Sequence, residues 1–121
     1  MRAPTNCTGI ARELKELNFN NAELDVAFGH IAEPFSATGI DTARFLISTN
    51  VGETLKPLSK IASGGEMSRI MLAFKKITAD FDNIPTMIFD EIDSGISGIT
   101  AGIVGQKLRE ISAHHQIVCI T

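Results

Sequence analysis

The stretch from Thr86 to Thr121 leaves few folds open. "TMIFD" (86–90) is a short run of β-forming residues and "QIVCIT" (116–121) is another. Between them, after the turn "SGISG", Ile99, Ile103, Val104, Leu108 and Ile111 recur at helical spacing. Strand, helix, strand in that order reads as a right-handed crossover unit of a parallel sheet. Both strands are apolar without alternation, which predicts burial on both faces. Gly102 and Gly105 fall inside the helix and weaken it by about 1 kcal/mol each relative to alanine, so close packing of a neighbour is their expected reason.

The preceding residues change period twice. Ile10, Leu14 and Leu17 follow i, i+4, i+7 spacing with Arg12, Glu13, Lys15 and Glu16 between them, an amphipathic helix whose charged face is expected to be solvated. Leu24, Val26 and Phe28, then Phe45, Ile47 and Thr49, alternate with mostly polar residues and predict two half-buried strands, paired antiparallel. The segment between them holds Gly29, Pro34 and Gly39 and reads as a loop. From Gly65 onward Met67, Ile70, Met71, Phe74 and Ile77 mark a second helix, with Lys75 and Lys76 near its end, where positive charge suits the helix dipole.

A chain of 121 residues suits one domain, and 44% hydrophobic with 21% charged residues is a soluble globular composition. No apolar run approaches the roughly 18 residues of a membrane span, and "MRAPTNCTGIAREL" has no secretory h-region, so the cytoplasm is expected. Cys7 and Cys119 lie far apart and outside any C-x-x-C pattern, which suggests neither a zinc site nor a redox pair. A net charge of −3 argues against a surface built for phosphate backbones, so any DNA contact by this segment is expected to be local or indirect.

Two motifs carry chemistry. Ser63-Gly64-Gly65-Glu66 at the start of the second helix fits a capping box, in which Ser63 accepts from the N–H three residues on and Glu66 reaches back. Capping does not explain two glycines in the first turn. Missing Cβ atoms would also let a phosphate approach the N–H groups at the positive end of a helix, with the Ser63 hydroxyl beside it. The second motif is "MIFDEID": a carboxylate pair where a buried strand ends, the place where open α/β sheets bind ligands. Successive side chains of a strand point opposite ways, so Asp90 and Glu91 are expected to differ in task. Asp90 would hold Mg²⁺, through a water, and Glu91 would orient and deprotonate an attacking water. The bland alternatives are a helix cap and a solvated acidic strand end.

"SGGE" followed by "TMIFDEID" resembles the signature motif and Walker B segment of ABC-type ATPases of the SMC class. The wider stretch "FLISTNVGETLKPLSKIASGGEMSRIMLAFKKI" with "IFDEIDSGISG" is similar to their branch that acts in bacterial DNA double-strand-break repair and recombination. The likeness covers roughly residues 20–121. It implies an α/β fold, the carboxyl-side half of a P-loop ATPase head: an antiparallel strand pair, a signature helix, then a parallel β-α-β unit. Residues 1–18 would be a helix near the return of a coiled-coil arm, 19–62 the strand pair and loops, and 63–121 the signature helix, Walker B segment, D-loop and final strand.

The resemblance also implies roles. Ser63, Gly64 and Gly65 would contact the γ-phosphate of ATP held by the opposite head of a homodimer, with Glu66 completing the signature. Asp90 would act on Mg²⁺ and Glu91 as the catalytic base. Ser94, Gly95 and Ser97 would lie in a D-loop crossing the dimer interface, Ser97 standing where many relatives carry aspartate. No G-x-x-x-x-G-K-[ST] phosphate loop occurs in these residues. "VCIT" ends before the position of the class's switch histidine, and His114 and His115 precede the strand and read as exposed. An amino-side half of the head is therefore an expected partner, with DNA bound elsewhere in the complete protein and no membrane. Two other readings stay open: a head segment of another SMC-type chromosome or nuclease-associated ATPase, and a small binding module in which the two motifs lie on unrelated surfaces.

Overall fold

The computed structural model describes residues 6–32 and 37–121, with side chains from Thr8 onward. Residues 1–5, the Cys7 thiol and Pro34 of the predicted loop lie outside the described residues. In chain order the elements are α1 (Asn6–Glu16), β1 (Glu23–His30), β2 (Asp41–Ser48), β3 (Lys56–Pro57), a 3₁₀ turn (Leu58–Lys60), α2 (Gly64–Thr78), β4 (Thr86–Asp90), α3 (Gly98–Ile111) and β5 (Gln116–Ile120). β1 pairs antiparallel with β2 from Glu23 opposite Ser48 to His30 opposite Asp41, and β3 adds a short antiparallel edge beside Leu46 and Ile47. β4 and β5 form a separate parallel pair, Thr86 opposite Gln116 through Asp90 opposite Ile120, joined by α3. The strand pair and the β-α-β unit are those expected from the periodicities; β3 is not, because its two residues show no alternation.

The core gathers where the helices meet. Leu14, Leu17, Ile47, Ile70 and Leu72 are almost wholly buried, and each such side chain contributes about 1.5–3 kcal/mol by leaving water. α2 lies at its centre, touching α1, α3 and β4.

Several faces differ from expectation. β4 is not buried on both sides: Met87 and Phe89 turn inward while Ile88 is 66% exposed. β5 is mostly exposed as well. The described residues supply a layer for one face of this pair and none for the other. Ile99, expected on the inner face of α3, is 83% exposed, and the buried positions are Thr100, Val104, Lys107 and Ile111. A Cβ at Gly102 or Gly105 would meet nothing within 4 Å, so no neighbour among the described residues accounts for those glycines.

The charged face of α1 is not simply solvated either. Glu13 is buried and paired with the buried Lys107 of α3, which also reaches Glu16 at 2.6 Å. On α2, Lys75 pairs with Asp82 and Lys76 with Glu110. The α2 residues that are buried include Arg69, which the apolar spacing had left out.

Candidate functional site

α2 begins where the two motifs meet. Ser63 has extended backbone and caps the helix, its hydroxyl accepting from the Glu66 N–H at 3.3 Å. The returning bond from Glu66, the other half of the capping box, does not form among the described residues. The N–H groups of Gly64 and Gly65, in the first turn, have no carbonyl one turn back and face the open end of the helix.

β4 delivers the acidic pair to the same place. Asp90 is the last residue of the strand and is exposed. At Glu91 the backbone turns sharply, with φ of 52°, in the left-handed region that costs a residue with a Cβ about 1–2 kcal/mol. Its N–H donates to the Ile120 carbonyl at the end of β5, and its carbonyl accepts from the Ser94 N–H, both at 2.9 Å.

The glycines fit against this turn. A Cβ on Gly64 would lie 2.6 Å from Glu91 Oε2. One on Gly65 would lie 2.8 Å from the Glu91 carbonyl oxygen and 3.0 Å from Ser94 Cβ. Within this chain, then, what the missing Cβ atoms admit is the turn after β4. Ser63, Gly64, Gly65, Glu91 and Ser94 lie together, and the arrangement of far-apart motifs expected of a mere binding module is not found.

The residues expected to form a D-loop follow directly. Gly95 takes φ of 71°, which glycine adopts without penalty, and Ser97 caps α3, accepting from the Thr100 N–H at 3.4 Å. Serine and aspartate are both good caps, so this local task is one that either residue performs. Among the described residues no three His, Cys, Asp or Glu side chains come together as a metal site. His114 is exposed, and His115 Nδ1 donates to the Ile84 carbonyl at the opposite end of β4.

Sequence reasoning missed Ser68 and Arg69. The Ser68 hydroxyl donates to the Asp90 carbonyl. Arg69, 5% exposed, donates from Nη1 to the carbonyls of Ile92 and Ser94 and stands 5.9 Å over the Phe19 ring. Burial lowers its pKa from the ordinary guanidinium value, partly countered by Glu66. Its Nε is a buried polar atom with no partner among the described residues, and the side chain lines a polar cavity of about 170 Å³ together with Asn18, Asn50 and Glu66. One signal was available: Arg69 is four residues after Gly65, and so on the same helical face.

No protein-family model matches the sequence. The chain is 46% identical over 112 residues to the DNA repair protein RecN of Haemophilus influenzae, and 44% identical over 115 residues to that of Halalkalibacterium halodurans. Each match covers 93% of the chain and 20% of the relative, so the chain spans about a fifth of the length of the curated relatives it matches. Its fold is similar to the Smc head domain with a coiled coil and joint from Pyrococcus yayanosii, with a TM-score of 0.63 at 23% identity over 95% of this chain and 21% of that one. With helices, an antiparallel strand pair and a parallel β-α-β unit laid out as in that head, and with this identity to its relatives, the chain belongs, as a segment, to the RecN family.

Proposed function

We propose that the chain is the carboxyl-side part of an SMC-like ATPase head that binds and hydrolyses ATP between two engaged heads in DNA repair and recombination. The observation that carries this reading is the meeting of Gly64 and Gly65 with Glu91 and Ser94 at one end of α2. A helix N-terminus able to receive an anion and a carboxylate able to take a proton thus share one rigid junction.

The residues divide the work. Ser63, Gly64 and Gly65, with Glu66 behind them, present a hydroxyl and two backbone N–H groups to the γ-phosphate of ATP on the opposite head. Glu91 orients the attacking water and accepts its proton. Asp90, a single exposed carboxylate, fits an ion held mainly by phosphate and water, and would hold Mg²⁺ through a water. Mg²⁺, when bound, neutralises charge on the phosphates. Ser94, Gly95 and Ser97 face the second head, and the amino-side half of the head supplies the phosphate loop. The 121-residue chain by itself would therefore turn over no ATP. The protein would act in the cytoplasm, at the nucleoid, with DNA held outside this acidic segment. Identity to RecN relatives favours this branch over other SMC-type heads.

Glu91→Gln in the complete protein tests the reading. The amide orients water but accepts no proton, so ATP-dependent head dimers should accumulate while turnover falls by about a hundredfold or more. Turnover at the normal rate would assign the base elsewhere.

A further inference from the structure

Two consecutive side chains of α2 reach out of the helix onto one loop. Ser68 holds the Asp90 carbonyl, and a single nitrogen of Arg69, Nη1, holds the carbonyls of Ile92 and Ser94 at 3.1 and 2.8 Å. Between the anchored carbonyls sits Glu91, the non-glycine residue of this loop with positive φ. Left-handed backbone in a residue with a Cβ persists where surrounding bonds over-determine it. Here they do so on both sides: Ser68 before the turn, Arg69 after it, and β5 through the Ile120 carbonyl.

Filling space does not require an arginine. A buried guanidinium that meets carbonyl oxygens and an aromatic ring, with no carboxylate bonded to it among the described residues, is costly to desolvate, and a methionine would fill much of the same volume. What arginine adds is donors aimed at the loop. The side chain also lies 3.1 Å from where a Gly65 Cβ would be, so it spans from the start of the signature helix to the D-loop.

We infer that Ser68 and Arg69 are positioning residues, a clamp that fixes the Asp90–Ser94 backbone so that Glu91 is held in its turn beside Gly64. The clamp makes the signature helix and the catalytic carboxylate of one head a single unit, so a shift of α2 against the second head moves Glu91 with it. This rests on Glu91 being the base.

The test uses the complete protein with Arg69→Met, Arg69→Lys, Ser68→Ala and Glu91→Gln. It combines steady-state ATP hydrolysis, titration with a fluorescent ATP analogue, and thermal unfolding. Arg69→Met should lose kcat by about tenfold or more, as expected for losing charge-assisted bonds that aim a base, with KM and analogue affinity within about twofold. Arg69→Lys should recover most of the loss, because one ammonium can make both bonds that Nη1 makes. Ser68→Ala, at a less buried position, should fold normally and lose about threefold; it decides the matter if Arg69→Met is unstable. Normal kcat in Arg69→Met or Ser68→Ala beside an inactive Glu91→Gln overturns the clamp. So does a loss of kcat and affinity together that lysine does not restore. Normal turnover in Glu91→Gln instead overturns the assignment of the base, and the clamp with it.

Discussion

Gly64 and Gly65 are neighbours with different tasks. At Gly64 a Cβ would press on the Glu91 carboxylate, the far end of a flexible side chain that can swing away; at Gly65 it would press on the Glu91 carbonyl, which is fixed backbone. Gly65→Ala should therefore destabilise the protein by about 1–3 kcal/mol, the cost of overpacking. Gly64→Ala should stay within about 1 kcal/mol of the parent, helped by better helix propensity. Denaturant midpoints at unchanged slope measure both, and equal losses would mean that the turn does not discriminate between them. That something approaches these glycines was legible in "SGGE". That the turn at Glu91 does so was not, because nothing in "DEID" announces a positive φ: glutamate is not a residue that seeks it. Arg69 was hidden for a related reason, since an arginine between apolar helix positions is ordinarily read as solvent-facing.

At the scale of elements, the helices and every strand but β3 were legible from their sequence patterns, and the joints between them were not. β4 was recognisable as a strand from "TMIFD", but which face is covered depends on neighbours that its own residues do not encode. The joint of α1 to α3 is the sharpest case, because Glu13, Glu16 and Lys107 are residue types expected in water. Burial pushes the Lys107 ammonium down, but the bonds to Glu13 and Glu16 outweigh it and leave the pKa raised. The bond to Lys107 lowers that of Glu16. A raised lysine contributes stability in full below its unfolded value and loses it as pH climbs through the folded one. A lowered carboxylate contributes above its unfolded value and loses it as pH falls through the folded one. The stability gap between the parent and Lys107→Met should thus be flat from about pH 5 to about pH 9 and shrink outside that window. Removing that cation takes from the buried Glu13 its partner among the described residues, so the gap at neutrality should reach about 3 kcal/mol. Unfolding followed across pH checks this, and a gap that grows in acid would contradict it.

Over the whole molecule, large apolar side chains stand exposed on the sheet faces and at the helix ends. Ile88 and Ile120 are exposed on the β4–β5 pair, Phe28 on the strand pair, and Phe81 and Ile99 at helix ends. Exposed apolar sheet faces and edges associate, so the 121-residue chain should sediment as dimers or larger species; a monomer at high concentration would count against a head that needs its other half. Under the proposed function Ser63 and its glycines serve the nucleotide of a second head, and Ser63→Arg in the complete protein tests this. Losing the cap alone costs about 1 kcal/mol and leaves head engagement intact. If the proposed function holds, an arginine in the space meant for the partner's γ-phosphate would block closure, while each head would still bind ATP through the phosphate loop proposed for its amino-side half. Crosslinking of heads with and without ATP, beside nucleotide titration, separates the two. Near-normal ATP affinity with ATP-dependent crosslinking abolished is the expected result, whereas undiminished crosslinking in Ser63→Arg would mean that the glycines admit only the turn at Glu91.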